Sequence, residues 1–315
     1  MALAVLRRLA GLALTLLAVA GAIFLTLDVL PGDPASVMLG TAAREDTLAA
    51  LRAELGLDRP AWLRFAAWIG GLLVGDLGQS VTYAMPVREL IGERLAVTVP
   101  LALLALAIAI ALAVPLGVWA AARQGRLADG AIGLFAQIGV ALPNFWIGLL
   151  LILVFATGLG WLPAGGFPGW RADPRPALFS LVLPAFALAL PQAAVLTRVV
   201  RSAVLDVAGQ DFVRTARAKG LTGRRALWSH VVPNALVPVA TIVGLQLSFL
   251  VAGAVLVENV FNLPGLGRLA ALALAQRDLV VIRNVILLLA ALVIGVNALV
   301  ELAYLVIDPR LRRRA

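Results

Sequence analysis

The sequence contains no cysteine, one histidine (His230) and one lysine (Lys219). Without cysteine there are no disulfides, no thiolate catalysis and no iron–sulfur or cysteine-based zinc sites. A single imidazole cannot form the histidine clusters that bind most transition metals, so we predict no metal site. Charged residues are also scarce, at 14% of the chain against roughly 25% in an ordinary soluble domain.

Apolar residues dominate what remains. They make up 62% of the 315 residues, and the mean hydropathy is +1.00. This composition excludes disordered and soluble globular proteins and indicates a chain that crosses the lipid bilayer several times. The net charge of +9 comes almost entirely from arginine. In a membrane protein such an excess reports topology, so we predict no nucleic-acid partner.

A membrane span needs roughly 20 apolar residues, because ~30 Å of hydrocarbon is crossed at ~1.5 Å per helical residue. Six charge-poor runs meet this requirement, and the third must end where a run rich in Gly, Pro and Trp begins at Gly158. We therefore predict an all-α, polytopic membrane protein with six transmembrane helices. Their ranges are 9–27, 95–122, one helix within 130–170, 176–197, 226–257 and 284–307.

The arginines indicate the orientation of these helices. With the N-terminus inside, the inner segments carry 15 basic and four acidic side chains, a net +11. The outer segments carry 11 basic and 12 acidic side chains. This bias follows the positive-inside rule and predicts that both termini are cytoplasmic.

The N-terminus admits a second interpretation. Arg7, Arg8, the apolar run and the triplet Ala18-Val19-Ala20 are also typical of a cleavable signal peptide, whose removal would leave five spans. The apolar run continues past the triplet through Leu25, as it does in an uncleaved anchor.

Two long segments lie outside the predicted spans. Residues 31–94 are predicted to be external, and the apolar stretch 61–74 is too short to span, so we expect it on the outer surface with Trp62 and Trp68 at the membrane interface. Residues 198–233 form a predicted cytoplasmic loop. In this loop a short basic helix ends at Gly220, and Thr222 caps the next helix. On physical grounds it is equally a docking element for a soluble partner or a solvated basic loop.

This loop resembles the cytoplasmic motif of permease subunits in binding-protein-dependent, ATP-driven importers. The general pattern is Glu-Ala-Ala, three residues, Gly, nine residues and then Ile-x-Leu-Pro. Anchored on Gly220, it is matched at Ala216 and Pro233, whereas Arg214 occupies the Glu position. The string RTARAKG is the form typical of the dipeptide/oligopeptide/nickel subfamily. The departure at Arg214 therefore makes the resemblance specific to that subfamily.

Further motifs of that subfamily occur in family order along nearly the whole chain. The resemblance is closest to the first of the two permease subunits, which has a long external segment after its first helix. The motifs are LPGDPA (30–35), ELGLDRP (54–60), GDLGQS (75–80), LPNFWIGLLLI (142–152), GWLPAGG (160–166), AVLVENVFNLPGLGR (254–268) and DPRLR (308–312).

The resemblance implies an ABC importer type I permease fold in a bacterial plasma (inner) membrane. Residues 1–30 would be the cytoplasmic N-terminus and first helix, 31–94 the external segment, and 95–315 the core permease domain with its coupling loop 198–233. The implied partners are a second homologous permease, two cytoplasmic ATPases and an extracytoplasmic solute-binding protein. The implied cargo is peptide, with nickel or another metal chelate as the alternative. The residues implied to couple to an ATPase are Arg214, Thr215, Ala216, Arg217, Lys219, Gly220 and Pro233.

The chain is not expected to be an enzyme. A phosphate-binding loop needs Gly-Lys followed by Ser or Thr, whereas Lys219 precedes Gly220. We expect no cofactor in this chain, and the resemblance assigns ATP and Mg to the partner ATPases. An intramembrane enzyme is disfavoured because the spans lack His, Cys and a Gly-x-Ser-x-Gly string. A channel or secondary transporter, which would need no ATPase, stays an alternative.

Polar side chains inside the spans are costly and therefore informative. Gln137, Asn144, Gln192 and Gln246 either line the pathway or form hydrogen bonds between helices. Glu258 is expected at the outer end of its helix, where it would be partly hydrated. For Glu301, pairing with a loop arginine and facing an aqueous cavity are both open, and its role is not assigned.

Overall fold

The computed structural model describes residues 2–29, 44–54, 56–171 and 173–307. The motifs at 30–35 and 308–312 and the side chain of Glu301 lie outside the described residues. Within them the chain is helical apart from its connections and one isolated β-bridge between Gln79 and Pro86.

The helices have the following bounds in chain order. They are α1 (Ala2–Val29), α2 (Glu45–Glu54), α3 (Ala61–Val74), α4 (Val87–Ala122), α5 (Leu127–Ala141), α6 (Asn144–Leu151, continued by a π-helical stretch Ile152–Gly158), α7 (Pro174–Ala208), α8 (Asp211–Ala218), α9 (Gly223–Ala226, continued by a π-helical stretch Leu227–Val231), α10 (Val232–Val260), α11 (Leu266–Ala275) and α12 (Leu279–Ile307).

Among the described residues, five stretches are long and apolar enough to cross a membrane, in α1, α4, α7, the continuous run from α9 through α10, and α12. A sixth consists of α5 and α6, which meet at an angle of 104°. Pro143 explains the break, because it lacks an N–H and holds Leu142 in an extended conformation (φ −88°, ψ 129°). With the bent pair counted as one span, the predicted six are confirmed.

Two spans are longer than the hydropathy predicted. Helix α4 begins at Val87 instead of residue 95, and α7 continues to Ala208 instead of ending at 197. Both extensions carry charged side chains, which end an apolar run without ending the helix. Residues 198–208, predicted as part of a loop, are therefore helical up to Gly209.

The chain forms two compact units, whose boundaries fall within α4, between α10 and α11, and within α12. The first comprises Met1–Thr98 and Pro264–Gly295. Its larger core joins the start of α4 to α11 and α12 through side chains such as Leu90, Leu266 and Ile282. A smaller cluster packs Trp68 of α3 against Phe24 and Ala20 of α1.

This smaller cluster corrects one prediction. Trp62 is exposed, as an interfacial tryptophan would be, but Trp68 is only 4% exposed. Its indole N–H donates a hydrogen bond to Asn284 Oδ1 (3.0 Å). Helix α3 is therefore packed onto α1 and α12 through Trp68, because an amphipathic 14-residue helix buries its apolar face wherever a partner helix is available.

The second unit contains Val99–Leu263 and the end of α12. Helix α7 lies at its centre, packed against α5, α6 and α10. Many buried positions of α7 are alanine, including Ala187, Ala189 and Ala194. At Gly117 of α4 an added Cβ would lie 2.7 Å from the side chain of Val200. Small residues thus allow the close helix approach typical of membrane bundles.

Candidate functional site

Helix α8 has one buried and one exposed face. Val213 and Ala216, three residues apart, are 0% and 9% exposed, whereas Arg214, Thr215 and Arg217 face solvent. This is the i, i+3 spacing that puts apolar residues on one side of a helix. Residues 209–233 are called the α8–α9 segment below.

Val213 belongs to a cluster that also takes side chains from α4, α7 and α10. The cluster is mostly valine, a β-branched residue with restricted rotamers, so its packing is stiff. A displacement of α8 is therefore opposed by the ends of three long helices at once. The members are Val118, Ala121, Val200, Val204, Val207, Val213, Val231, Val232, Ala235 and Val239.

The turn after α8 has the helix stop and the helix cap that the sequence predicted, at Gly220 and Thr222. Gly220 has φ +93°, a conformation that favours glycine, and its N–H donates to the Arg217 carbonyl (2.9 Å). The Leu221 N–H donates to the Ala216 carbonyl (3.3 Å), which completes the end of the helix. Thr222 is the N-cap of α9, since its Oγ1 accepts a hydrogen bond from the Arg225 N–H (3.4 Å). The predicted helix, break and cap are confirmed.

Pro233 lies just after the π-helical stretch that joins α9 to α10. Proline cannot donate an intrahelical hydrogen bond, and a π turn shifts the bonding register around it. The side-chain amide of Asn234 donates to the His230 carbonyl (2.6 Å). The junction therefore stays helical. After α8 there is one turn, and the chain is then helical without a break from α9 through α10.

The basic side chains of α8 and of its C-cap Lys219 form at most one weak ion pair with the residues that the structure describes. Arg214 Nη1 lies 3.5 Å from Asp211 Oδ1, but both side chains are exposed, at 76% and 96%, so this pair contributes little. Arg217 and Lys219 make no ion pair with any residue that the structure describes. Arg217 also lines a cavity of about 850 Å³ together with Arg224, Trp119 and Trp228. This surface is basic and aromatic.

Another arginine of the predicted loop, Arg201, forms an ion pair within the fold. Arg201 in α7 donates from Nε to Asp129 Oδ1 (2.6 Å) and from Nη2 to Asp129 Oδ2 (2.8 Å). Asp129 in α5 also accepts from the Gly125 N–H (3.0 Å). The bidentate pair ties α5 to α7. Sequence reasoning missed it because residues 72 positions apart carry no local signal of contact.

The four proposed pathway residues are placed differently. Gln137 is exposed, Asn144 and Gln192 are half-buried, and Gln246 is 4% exposed. No hydrogen bond within the described ranges joins any two of them. Asn144 approaches α10 so closely that a Cβ added to Gly253 would lie 2.8 Å from its Nδ2. The Nε2 of Gln246 is buried and has no hydrogen-bond partner in the described part of the chain.

Glu258 corrects a further expectation. It is 0% exposed, not hydrated at the end of α10. The Gly160–Gly166 motif folds over this end, where the Gly166 N–H donates to the Phe261 carbonyl (2.9 Å). A Cβ on Gly165 would clash with the same carbonyl, so glycine is required there. Glutamate is rarely buried completely unless it has a partner.

Asp278 is a buried acid that sequence reasoning did not single out. Its Oδ2 accepts from the Ser80 hydroxyl (2.7 Å) and the Thr82 N–H (3.1 Å), and its Oδ1 from the Val281 N–H (3.1 Å). An acid directly before an apolar helix is a signal for an N-cap, and that signal was available. In the parts of the chain that the structure describes, no three His, Asp or Glu side chains are placed to hold a metal ion.

Two family models together match nearly the whole chain. Residues 113–313 match the family described as "Binding-protein-dependent transport system inner membrane component". Residues 1–102 match the N-terminal region of membrane components of the same transport systems.

Relatives of full length carry related names. A putative peptide transport system permease protein of Brucella abortus (strain 2308) is 41% identical over 308 residues, covering 98% of each chain. A probable peptide ABC transporter permease protein of Sinorhizobium fredii is 39% identical with the same coverage. A glutathione transport system permease protein of Salmonella choleraesuis is 38% identical, again over 98% of each chain.

The fold has a solved counterpart. A chain of the MetNI methionine ABC transporter, in an inward-facing conformation, superposes with a TM-score of 0.57 at 18% identity, covering 70% of this chain and 96% of that chain. This likeness confirms the permease fold that the sequence predicted. The chain belongs to the family of inner membrane components of binding-protein-dependent transport systems, which are permeases of ABC importers and not enzymes.

Proposed function

We propose that this permease carries peptides, in an importer driven by ATP. The support for the cargo is that full-length relatives at about 40% identity are named for peptide transport or for glutathione, itself a tripeptide. In such an importer this chain forms half of the translocation pathway, and a second homologous permease forms the other half. An extracytoplasmic solute-binding protein delivers the cargo.

The proposed energy source is a pair of cytoplasmic ATPases, which bind ATP and Mg. The observation that carries this proposal is the two-sided construction of α8: its buried face is anchored in the valine cluster, and its exposed face offers basic side chains that the fold does not use. Arg214, Thr215 and Arg217 dock into the ATPase. Lys219, which follows α8, is a third docking charge, and Ala216 lies on the buried face of α8 at 9% exposure. Gly220 and Pro233 fix the direction in which α8 ends and the chain re-enters the membrane.

This construction suits force transmission. When the two ATPases close on ATP, α8 moves with the groove that holds it, and the stiff cluster passes the displacement to α4, α7 and α10. The membrane helices then rock between inward-open and outward-open states, a rigid-body transition driven by a partner's conformational change. Gln137, Asn144, Gln192 and Gln246 are the proposed polar lining of the pathway.

The proposed location is a bacterial plasma (inner) membrane, with both termini cytoplasmic. The excess of 15 basic over four acidic side chains in the inner segments supports this orientation. The α8–α9 segment and the Arg201–Asp129 pair then lie on the cytoplasmic side, and residues 31–94 outside.

A mild-detergent pull-down of the tagged chain tests the assembly. We expect a second permease, two phosphate-loop ATPases and an external binding protein, whose bound ligand names the cargo. A peptide ligand supports the proposal, and a nickel chelate would replace peptide as the cargo. Recovery of the chain alone, with transport that needs no ATP, would contradict the importer.

The docking role is tested by charge reversal in that complex. Arg217→Glu is expected to reduce transport-coupled ATP hydrolysis at least about tenfold, because it places a like charge where a charge-complementary groove binds. Arg225→Glu is the matched control, since Arg225 is exposed on the next helix and lies outside α8. Equal activity of the two variants would contradict the assignment.

A further inference from the structure

The first unit contains a cavity of about 310 Å³ with an unusual charge balance. Four arginines line it against two aspartates, an excess of two positive charges among the lining residues. We call it the arginine chamber. Its charged residues are Arg59, Arg64, Arg277, Arg283, Asp28 and Asp76.

Two of these guanidinium groups have unused donors. The Nε atoms of Arg64 and Arg283 are buried and donate no hydrogen bond to any residue that the structure describes. Arg64 pairs with Asp28 (2.5 Å) and lies over the Phe24 ring, and Arg283 lies 5.3 Å from the centre of the Trp68 ring. A buried donor without an acceptor is costly, and guanidinium groups match the oxygens of phosphate or carboxylate. The chamber is therefore complementary to an anion.

A second cavity of about 530 Å³ in the same unit is almost entirely apolar. Leu77 lines both cavities, and α3 contributes Trp68 to the chamber and Ile69 and Leu72 to the groove. The other side of the groove is formed by α1 and α12, including Leu17 and Leu288. We call it the apolar groove.

The two cavities follow one another along the predicted membrane normal. Asp28 ends the apolar stretch of α1, and α12 begins its own at Leu279, so the chamber lies at the boundary of the hydrocarbon. Along α1, Phe24 in the chamber and Ala13 in the groove are separated by about 16 Å at ~1.5 Å per residue. This is close to one leaflet, about half of ~30 Å.

We propose that the arginine chamber and the apolar groove together bind one phospholipid. Its phosphate lies among the guanidinium groups, and one acyl chain lies in the groove between α1, α3 and α12. The excess of arginine over aspartate among the lining residues favours an anionic headgroup over a zwitterionic one. A small soluble anion would satisfy the chamber but would leave the groove unexplained.

The test is native mass spectrometry of the full-length chain, purified with its partner subunits, stripped of lipid and titrated with phosphatidylglycerol. We expect one lipid bound per chain. Arg283→Gln is expected to weaken binding at least about tenfold, because it removes a charge-assisted contact to the phosphate. Ala13→Phe fills the groove from an exposed position without altering any charge, and should also weaken binding.

Arg88→Gln is the matched control, since Arg88 is exposed in the same unit and lines neither cavity. If Arg283→Gln does not fold, Arg277→Gln takes its place. Wild-type affinity in the arginine variant would overturn the proposal. So would competition by soluble glycerol phosphate with no effect of Ala13→Phe, which would identify a small-anion site instead.

Discussion

The α8–α9 segment and the arginine chamber are both rich in arginine, but they surround those side chains differently. In α8, Arg214 is 76% exposed and its nearest acid is itself exposed. In the chamber, Arg64 and Arg283 contact aromatic rings and have buried Nε atoms. An exposed arginine contributes little to the fold and is free to bind a partner. A buried one is part of the fold, and losing it affects stability first.

Two acids near helix starts show the same contrast between a buried and an exposed side chain. Substitution of the buried acid has the largest predicted effect on stability. Asp278 is 2% exposed and accepts hydrogen bonds from Ser80, Thr82 and Val281. Asp278→Ala leaves these donors without their acceptor, at about 1 kcal/mol each, so we expect a loss of about 3 kcal/mol. Thermal unfolding in detergent measures it.

Asp211→Ala is the matched control for Asp278→Ala. Asp211 is the first residue of α8, and its side chain is 96% exposed. We expect no measurable change in the unfolding temperature. Equal destabilisation by the two substitutions would remove the distinction between a buried acid of the fold and a solvated acid of a docking helix.

The next effect concerns the anchor of α8. Val213 is fully buried in the valine cluster, whereas Phe212 beside it is 41% exposed. Val213→Ala removes two buried methyl groups and should cost about 2 kcal/mol. It should also lower coupled ATP hydrolysis, because a loosened anchor transmits less of the ATPase motion. Phe212→Ala should leave unfolding nearly unchanged, and a larger effect of Phe212→Ala would place the anchor elsewhere.

A smaller effect is expected at the turn that follows. Gly220 has φ +93°, so Gly220→Ala places a Cβ in the left-handed region and should cost about 1 kcal/mol. Gly223 starts α9, and a Cβ added there would meet open space. Gly223→Ala should therefore be neutral or slightly stabilising, since alanine is the better helix former. Thermal unfolding of the two variants, measured side by side, checks the difference.

The sequence predicted best the features that depend on local chemistry or on bilayer thickness. Six spans follow from apolar length, and the break at Gly220 and the cap at Thr222 follow from residue type. The bend at Pro143 was not predicted, because hydropathy shows that a run is long enough to span but not the angle between its two halves. The ends of α4 and α7 were misplaced because a charge ends the hydropathy signal while the backbone hydrogen bonding continues.

Tertiary contacts account for the other errors. Trp68 was expected at an interface and Glu258 in water, yet both are buried by segments distant in sequence. The Arg201–Asp129 pair and the arginine chamber have the same origin, since each joins residues from several helices. The helix, break and cap of the α8–α9 segment were predicted correctly because they depend on local residue types.

The smallest predicted effect on stability is at Arg214, and it separates stability from function. Its exposed pair with Asp211 (3.5 Å) is worth less than about 0.5 kcal/mol, so Arg214→Ala should not change the unfolding temperature. If α8 docks into an ATPase, the same substitution should lower coupled ATP hydrolysis, while Arg225→Ala on α9 does not. An activity loss without a stability loss is the result expected of a residue whose binding partner lies on another chain. Unchanged coupling in Arg214→Ala would instead make Arg214 a solvated charge that follows the positive-inside rule.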